Sequence, residues 1–211
     1  HGASCHFLLQ NMIGVWPVDG NVSNELRERL HAYAEKAMRE AGVHTTWFDV
    51  NEEFETSIHQ WIDSTIDNHG EDITAFVAEI APAAEMVSLS KKLLHIMGPG
   101  IPDIYQGTEF FTDSLVDPDN RRPVDFAERM EALDRVSRGD VRSIDDERLY
   151  VITTALQIRN QFELDEASYL PVMATGTMER HVLGTLRGDD VITLVTRRPL
   201  DILRDGWADT T

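Results

Sequence analysis

Apolar residues fall into a regular spacing at Leu26, Leu30, Tyr33 and Ala37. Steps of three or four positions place them on one face and predict a helix over Asn21 to Ala41. Asn21 or Ser23 can cap its start, and Gly42 sits where a left-handed cap is wanted. A second stripe, Phe54, Ile58, Trp61 and Ile62, predicts a helix over Asn51 to Asn68. Glu52 and Glu53 lie in its first turn, where the helix dipole favours anions, and Gly70 is expected to close it. Residues 71–97 read as one or two helices, broken or kinked near Pro82, with Leu89, Leu93, Leu94 and Met97 on the buried face. Gly98-Pro-Gly100 stops that run, and Ile101 to Tyr105 is expected as a short strand.

Helix, tight turn and short apolar strand in succession is the cadence of a βα barrel unit. A loop of about 17 residues follows, and loops of that length inside compact domains are often functional. Helix resumes at or just after Pro123 through Phe126, Met130 and Leu133, and again from Asp145 to Phe162 with Leu149, Ile152, Leu156 and Arg159 at helical spacing. From Tyr169 the period changes to alternation. Pro171 to Ala174, His181 to Leu186 and Val191 to Thr196, punctuated by Gly176 and Gly188-Asp-Asp190, predict antiparallel hairpin strands. The pattern divides the chain into a mostly helical part, residues 1–165, with one barrel strand near 101–105, and a small β domain, residues 166–211. Three strands bury little by themselves, so the β domain reads as truncated. No internal repeat or low-complexity tract is seen.

Composition narrows the partners. The 211 residues are 42% hydrophobic, enough for a sizeable core. The 37 acidic and 19 basic residues give a formal charge of −18, which repels phosphate backbones and anionic lipid surfaces, so neither nucleic acid nor membrane is an expected partner. Cys5 is the single cysteine, so no internal disulfide can form, and it has no evident partner base for nucleophilic work. No uninterrupted apolar run approaches the roughly 20 residues that span a bilayer, since Glu79 and Glu85 interrupt the most apolar region. The chain begins His1-Gly2-Ala3-Ser4 without a charged and apolar leader, so it reads as processed or as a piece of something longer.

Two clusters could carry chemistry. Tyr105, Gln106 and Glu109 fall where a barrel strand would end, on the face that forms active sites in parallel barrels. A ring, an amide and a carboxylate together suit a sugar, which has an apolar face and a rim of hydroxyls. A brace for the loop is the alternative role for Glu109. The second cluster gathers Asp113, Asp117, Asp119, Asn120, Arg121, Arg122 and Asp125. Guanidinium forks pair with carboxylates and also bind sugar hydroxyls, so either an ion-pair network or a ligand-binding loop fits. A calcium loop does not: Arg121 stands where a third oxygen ligand is needed, and the turn glycine is absent. The eight histidines form no recognisable metal pattern. His44 with Trp47 could line a sugar subsite or pack inside, whereas His59 and Asp63 are expected to meet on a solvated helix surface.

The run Gly100-Ile-Pro-Asp-Ile-Tyr-Gln-Gly-Thr-Glu109 resembles the eighth-strand motif of the α-amylase superfamily (glycoside hydrolase family 13). Ser114-Leu-Val-Asp-Pro-Asp-Asn-Arg-Arg-Pro-Val-Asp125 narrows the resemblance to the maltooligosyl trehalose synthase family. Gly14-Val-Trp-Pro17, Val43-His-Thr-Thr-Trp47 with Asn51-Glu52, and Gly206-Trp-Ala-Asp-Thr210 are further matches in order, although Ala208 replaces a glycine and Arg148 to Gln161 is poorer in arginine than the family pattern. The resemblance implies the last part of a (β/α)8 barrel followed by part of an antiparallel β domain. It implies an enzyme that turns the reducing-end α-1,4 linkage of a maltooligosaccharide into an α,α-1,1 linkage, with no cofactor and with its catalytic carboxylates on upstream strands this chain lacks. No catalytic residue and no metal ligand is therefore assigned. Tyr105, Gln106, Glu109, Asp117, Asn120, Arg121, Arg122, Asp125, His44 and Trp47 are expected to shape the sugar site. An amylase-like hydrolase and a non-catalytic carbohydrate-binding module are the alternatives. The remainder of the barrel is an expected partner, as is a second copy pairing through the Ile101 to Tyr105 strand. A cytoplasmic location is expected.

Overall fold

A computed structural model describes residues 2–211. About 59% of it is helical, and its sheet has three antiparallel strands, which agrees with a predominantly helical chain ending in β-structure. The helices are α1 (Gly2–Gly14), α2 (Asn24–Ala41), α3 (Glu52–Met97), α4 (Phe126–Ser137), α5 (Ile144–Gln161) and α6 (Pro199–Asp205); the strands are β1 (Tyr169–Val172), β2 (Val182–Arg187) and β3 (Val191–Thr196). The chain divides into two compact units, residues 1–81 with 113–123 and residues 82–112 with 124–211.

The first unit is a helical packing of α1, α2 and the first half of α3. Ser23 rather than Asn21 caps α2, its side chain accepting from the Leu26 N–H, and Gly42 closes it at φ +63°. The α2 stripe Leu26, Leu30 and Tyr33 is buried together with Phe54, Ile58 and Ile62 of α3, Leu8 and Met12 of α1, and Trp16. Across the helix surfaces Arg27 and His31 of α2 reach Asp63, at 3.2 and 3.0 Å, and Arg27 also pairs with Asp67. His59 meets His31, Nδ1 to Nδ1, at 2.5 Å. His59 and Asp63 are therefore not a solvated pair on one helix; they tie α3 to α2.

The expected close at Gly70 does not occur, and residues 71–97 are one helix rather than two, for α3 is continuous over 46 residues with Pro82 inside it. Gly70 lies inside it, and a methyl added there would meet the Trp16 ring at an ordinary 3.6 Å. The Trp16 indole donates to Thr74 Oγ1 at 2.9 Å, and Thr74 in turn donates to the Gly70 carbonyl. Pro82 is accommodated because it and Ala78, whose carbonyl loses its donor, are both exposed, so water can replace the missing bond. One 18-residue window of α3 has a mean hydropathy of 1.3, which by length and composition alone suffices to cross a membrane, and only 17% of that window is buried. Phe76 and Val87 are among its exposed apolar side chains.

In the second unit the end of α3 is held by two buried arginines. Arg159 of α5 donates to the carbonyls of Ile96 (2.8 Å), Gly98 (2.9 Å) and Gly100, and to Asp165. Arg187 of β2, 1% exposed, donates to the carbonyls of Met97 (2.9 Å) and Leu164. The Ile96 and Met97 carbonyls are orphan acceptors of the α3 C-terminus, and the dipole adds to their preference for cations. Ile96, Met97, Ile152, Ala155, Leu164 and Val191 pack around the same point. A second cluster, Phe110, Ala132, Val136 and Leu149, joins α4 to α5, reinforced by Arg135 on the buried Asp146 at 2.6 Å.

Residues 101–105 form no strand, contrary to expectation, and so offer no formed edge for a second copy. A barrel strand needs a neighbour for its backbone groups, and the sheet of this chain contains β1, β2 and β3 alone among the described residues. That sheet keeps the register Leu170↔Leu186↔Ile192 and Val172↔Gly184↔Leu194. Leu170, Ile192 and Leu194 remain more than half exposed on those rows.

Arg187→Met keeps the volume but strands two buried carbonyls; we expect it to cost about 3 kcal/mol or more in chemical denaturation, with the loss concentrated in the second unit by amide exchange. Gly70→Ala should act in the opposite direction. Because its methyl finds ordinary contact and alanine is the better helix former, stability should rise by up to about 1 kcal/mol; a lower denaturation midpoint would show that Trp16 needs the bare glycine.

Candidate functional site

The loop of residues 113–123 belongs to the first unit and is clamped there by α2. The Arg29 guanidinium forks onto Asp119, Nε to Oδ1 at 2.7 Å and Nη2 to Oδ2 at 2.8 Å, and Nη2 also donates to the Asp113 carbonyl at 2.6 Å. Asp119 Oδ2 accepts from the Leu115 N–H at 2.7 Å, and the Leu115 side chain is buried in the first unit's core. Burial works against ionising Asp119, but the Arg29 fork, the Leu115 N–H and the charges of Arg29 and Arg122 outweigh it and hold the carboxyl below its ordinary range. Lys36, seven residues after Arg29 and so on the same face of α2, donates to the Asp117 carbonyl and lies 3.8 Å from its carboxylate.

Asp119 to Arg121 form a single 3-10 turn. Asp117 is paired with Arg121, although its Oδ1 is not aligned for a hydrogen bond. Arg122 lies 3.5 Å from Asp119 and 3.7 Å from Glu25. Asn120, Arg121 and Arg122 are exposed. The Asp119 carboxylate thus holds the loop, and the Asn120 amide and the Arg121 and Arg122 guanidinium groups are left exposed. Sequence reasoning assigns no part to Arg29 and Lys36; their seven-residue spacing on α2 is the signal that could have found them.

Tyr105, Gln106, Glu109 and Asp125 lie in the second unit and are described there by themselves. Gly107 turns the chain at φ +88°, where a Cβ would press on Val124 at 3.0 Å. Arg129 donates to the carbonyls of Gly107 (3.1 Å) and Asp125 (3.0 Å), stands over the Phe110 ring at 4.6 Å, and faces Glu109 at 3.4 Å. That last contact is a charge pair without hydrogen-bond alignment, since neither Glu109 Oε2 nor Arg129 Nε has a bonded partner. Glu109 is therefore positioned by electrostatics and retains capacity to accept a bond. Tyr105 and Gln106 are exposed, the tyrosine at 45%. Asp125 has a local role: its carboxylate caps α4 by accepting from the Glu128 N–H at 3.0 Å.

His44 and Trp47 sit by the first turns of α3, in the first unit. The His44 ring packs on Phe54 at 4.8 Å and lines a cavity of about 260 Å³ with Phe7, Met38 and Val43. Trp47 is half-exposed with Arg39 over its ring at 5.0 Å. Arg39 also forks onto Glu55 at 2.8 and 2.7 Å, and the Thr45 hydroxyl donates to the same carboxylate at 2.6 Å. The Arg39 bonds, opposed by burial and aided by Thr45, lower Glu55 from 4.5 to about 2. Among the described residues no group of three His, Cys, Asp or Glu side chains could hold a metal ion.

No family model matches the chain. A protein of Mycobacterium tuberculosis named as a maltooligosyl trehalose synthase is 44% identical to it over 207 residues, 97% of this chain and 26% of that protein. Over nearly all of its length the chain is similar to one segment of a maltooligosyl trehalose synthase. Solved structures agree: maltooligosyltrehalose synthase from Arthrobacter ramosus matches with a TM-score of 0.84 at 40% identity, over 96% of this chain and 27% of that one. A structure from Sulfolobus tokodaii, described as a hypothetical maltooligosyl trehalose synthase, matches with a TM-score of 0.68 at 30% identity, over 90% and 26%. The chain spans about a quarter of the length of the curated relatives it matches.

The Glu55 pair sets an acid response. A carboxyl lowered by folding stabilises the fold fully above its ordinary 4.5, and that contribution disappears as pH falls toward about 2. Glu55→Gln should cost about 2 kcal/mol at neutral pH and should flatten the stability profile between those limits. Urea midpoints measured across that range check it; parallel profiles for the two proteins would refute the assignment.

Proposed function

We propose that this chain is the carboxyl-terminal part of a maltooligosyl trehalose synthase. The whole enzyme converts the reducing-end α-1,4 linkage of a maltooligosaccharide into an α,α-1,1 linkage by intramolecular transglucosylation, a reaction of glycoside hydrolase family 13 carried on a (β/α)8 barrel. The observation that carries the proposal is the identity of 44% maintained over 97% of the chain. Residues 1–165 complete the barrel in this reading, and residues 166–211 begin the β domain. The exposed Phe76 of α3 and the exposed rows of the sheet support it, because such surfaces in a soluble enzyme are covered by further chain. A cytoplasmic setting belongs to the same proposal.

Retaining transfer requires two carboxylates about 5 Å apart, one attacking the anomeric carbon and one moving protons. The family places them upstream, so this chain alone is inactive. Its contribution is to grip the released glucose and keep water from replacing it as acceptor. The clamped loop is suited to that role, because Arg29 and Lys36 fix its backbone while Asn120, Arg121 and Arg122 offer donors and an amide to hydroxyls. Tyr105, Gln106 and Glu109 supply a ring, an amide and an acceptor, and Trp47 with His44 supplies a further aromatic surface. Asp117 and Asp125 act by holding backbone in place. Pairing with a second copy through residues 101–105 would require that segment to become a strand, which the remainder of the barrel is better placed to induce.

Incubating maltopentaose with the intact polypeptide should lower the number of reducing ends with little free glucose, and this chain alone should do nothing. Rising reducing ends would make the enzyme a hydrolase, and binding without reaction by either protein would make the chain a carbohydrate-binding module. In the intact enzyme Arg122→Ala should lower trehalose-ended product about tenfold and raise the share of free glucose, the effect of losing one charge-assisted bond to the acceptor sugar.

A further inference from the structure

The chain has 19 basic side chains against 37 acidic ones, and three of the basic ones are lysines: Lys36, Lys91 and Lys92. Two of the three line one cleft. Ala84, Val87, Ser88, Lys91, Lys92 and His95 follow one another at helical spacing on α3 and form a wall, with Arg148 of α5 opposite, around a volume of about 470 Å³ within the second unit.

Arg148 is only 9% exposed, and its guanidinium is fixed in place. Its Nε donates to the Thr108 carbonyl and its Nη1 to Ser88 Oγ, both at 2.9 Å, while Phe111 lies beneath it at 5.0 Å. Its Nη2 has no hydrogen-bond partner among the described residues, and neither Arg148, Lys91, Lys92 nor His95 takes part in an ion pair there. That is unusual in so acidic a chain. On α3 the positions three and four away from Lys91 and Lys92 are Val87, Ser88, Leu89, Leu94, His95 and Ile96, none of them a carboxylate.

The carboxylates that act on the cleft do so from a distance. Asp103 and Glu109 favour the charge on Lys92, and Asp145 and Glu109 favour that on Arg148. Glu109 is already faced by Arg129, and Asp145 accepts from the Phe111 N–H at 2.6 Å. Burial, and then the charge of Arg148, push the Lys92 ammonium down; burial likewise lowers Arg148. Arg148 thus disfavours the charge on Lys92 and burial disfavours both, so an anion between them would relieve both.

We propose that this cleft binds a small anion of the phosphate class, free or as a phosphate ester, through Lys91, Lys92, His95 and the free edge of Arg148. A tetrahedral oxyanion suits the set because Arg148 offers a fixed planar donor and the lysines offer mobile point charges. The volume exceeds that of bare phosphate and leaves room for an attached sugar-sized group. The inference is independent of the glucan-transfer reading.

Isothermal titration of the intact polypeptide with inorganic phosphate, at constant ionic strength set by sodium chloride, tests it. Saturable binding at one site is expected, weakened about tenfold by Lys92→Gln and lost in the double variant Lys91→Gln with Lys92→Gln, both checked for unchanged thermal melts. Glucose 6-phosphate binding more tightly than phosphate supports an esterified ligand, and equal binding supports the free anion. Absence of saturable heat, binding that chloride matches at equal ionic strength, or binding indifferent to both lysines overturns the proposal.

Discussion

In the second unit, structure depends on how the last carbonyls of α3 are answered. A 46-residue helix ends at Met97 with its acceptors turned inward among apolar side chains. Water is excluded there, so protein donors must replace it. Arg159 and Arg187 do so from α5 and β2, and each also reaches the segment between helix and sheet, at Asp165 and Leu164. Removing them would therefore do more than expose a helix end. The helix, the following Gly98-Pro-Gly100 turn, α5 and the first edge of the sheet's packing share these two cations.

The same chemistry, used at lower burial, organises the loop of the first unit. Arg29 answers Asp119 with both of its forked donors, so that carboxylate is saturated and the turn it begins is fixed. The neighbouring Arg121 and Arg122 sit on weaker, more exposed pairs. A sugar hydroxyl competes poorly for a guanidinium locked in a buried fork and well for one loosely held at the surface. The division between holding and presenting groups thus follows from burial, residue by residue.

Much of this is legible in the sequence, and the failures are instructive. Ser23 and Gly42 mark α2 because capping chemistry is local, and alternation marks β3 because one of its faces is buried. Gly70 and Pro82 read as breaks since their local cost is real; packing of Trp16 at the first and exposure at the second outweigh it. The segment at 101–105 has strand-forming residues but no neighbour, and pairing is not a local property. Helices α1 and α6 escape the sequence reading. Pro199 at the first turn of α6 is a usable start signal, whereas α1 has few polar positions to define a face. Among site residues, Asp125 reads as a ligand contact and serves a helix cap. Arg187 cannot be recognised as buried from sequence, since arginine ordinarily reads as surface, whereas Arg159 shares the helical spacing of the buried Leu149 and Ile152.

These assignments change what the formal charge of −18 means. Arg159 and Arg187 are buried on backbone carbonyls, and Arg29, Arg39 and Arg135 are committed to carboxylates at 2.6 to 2.7 Å. The cations that solvent meets are correspondingly fewer than the sequence count, while most unpaired carboxylates remain outside. A neutral, hydroxyl-rich ligand approaches such a surface without the repulsion that an anion meets. An anion can be held only where fixed donors are concentrated and acids kept back, so any selectivity between the two proposed ligand classes would follow from where the arginines are buried rather than from how many the chain contains.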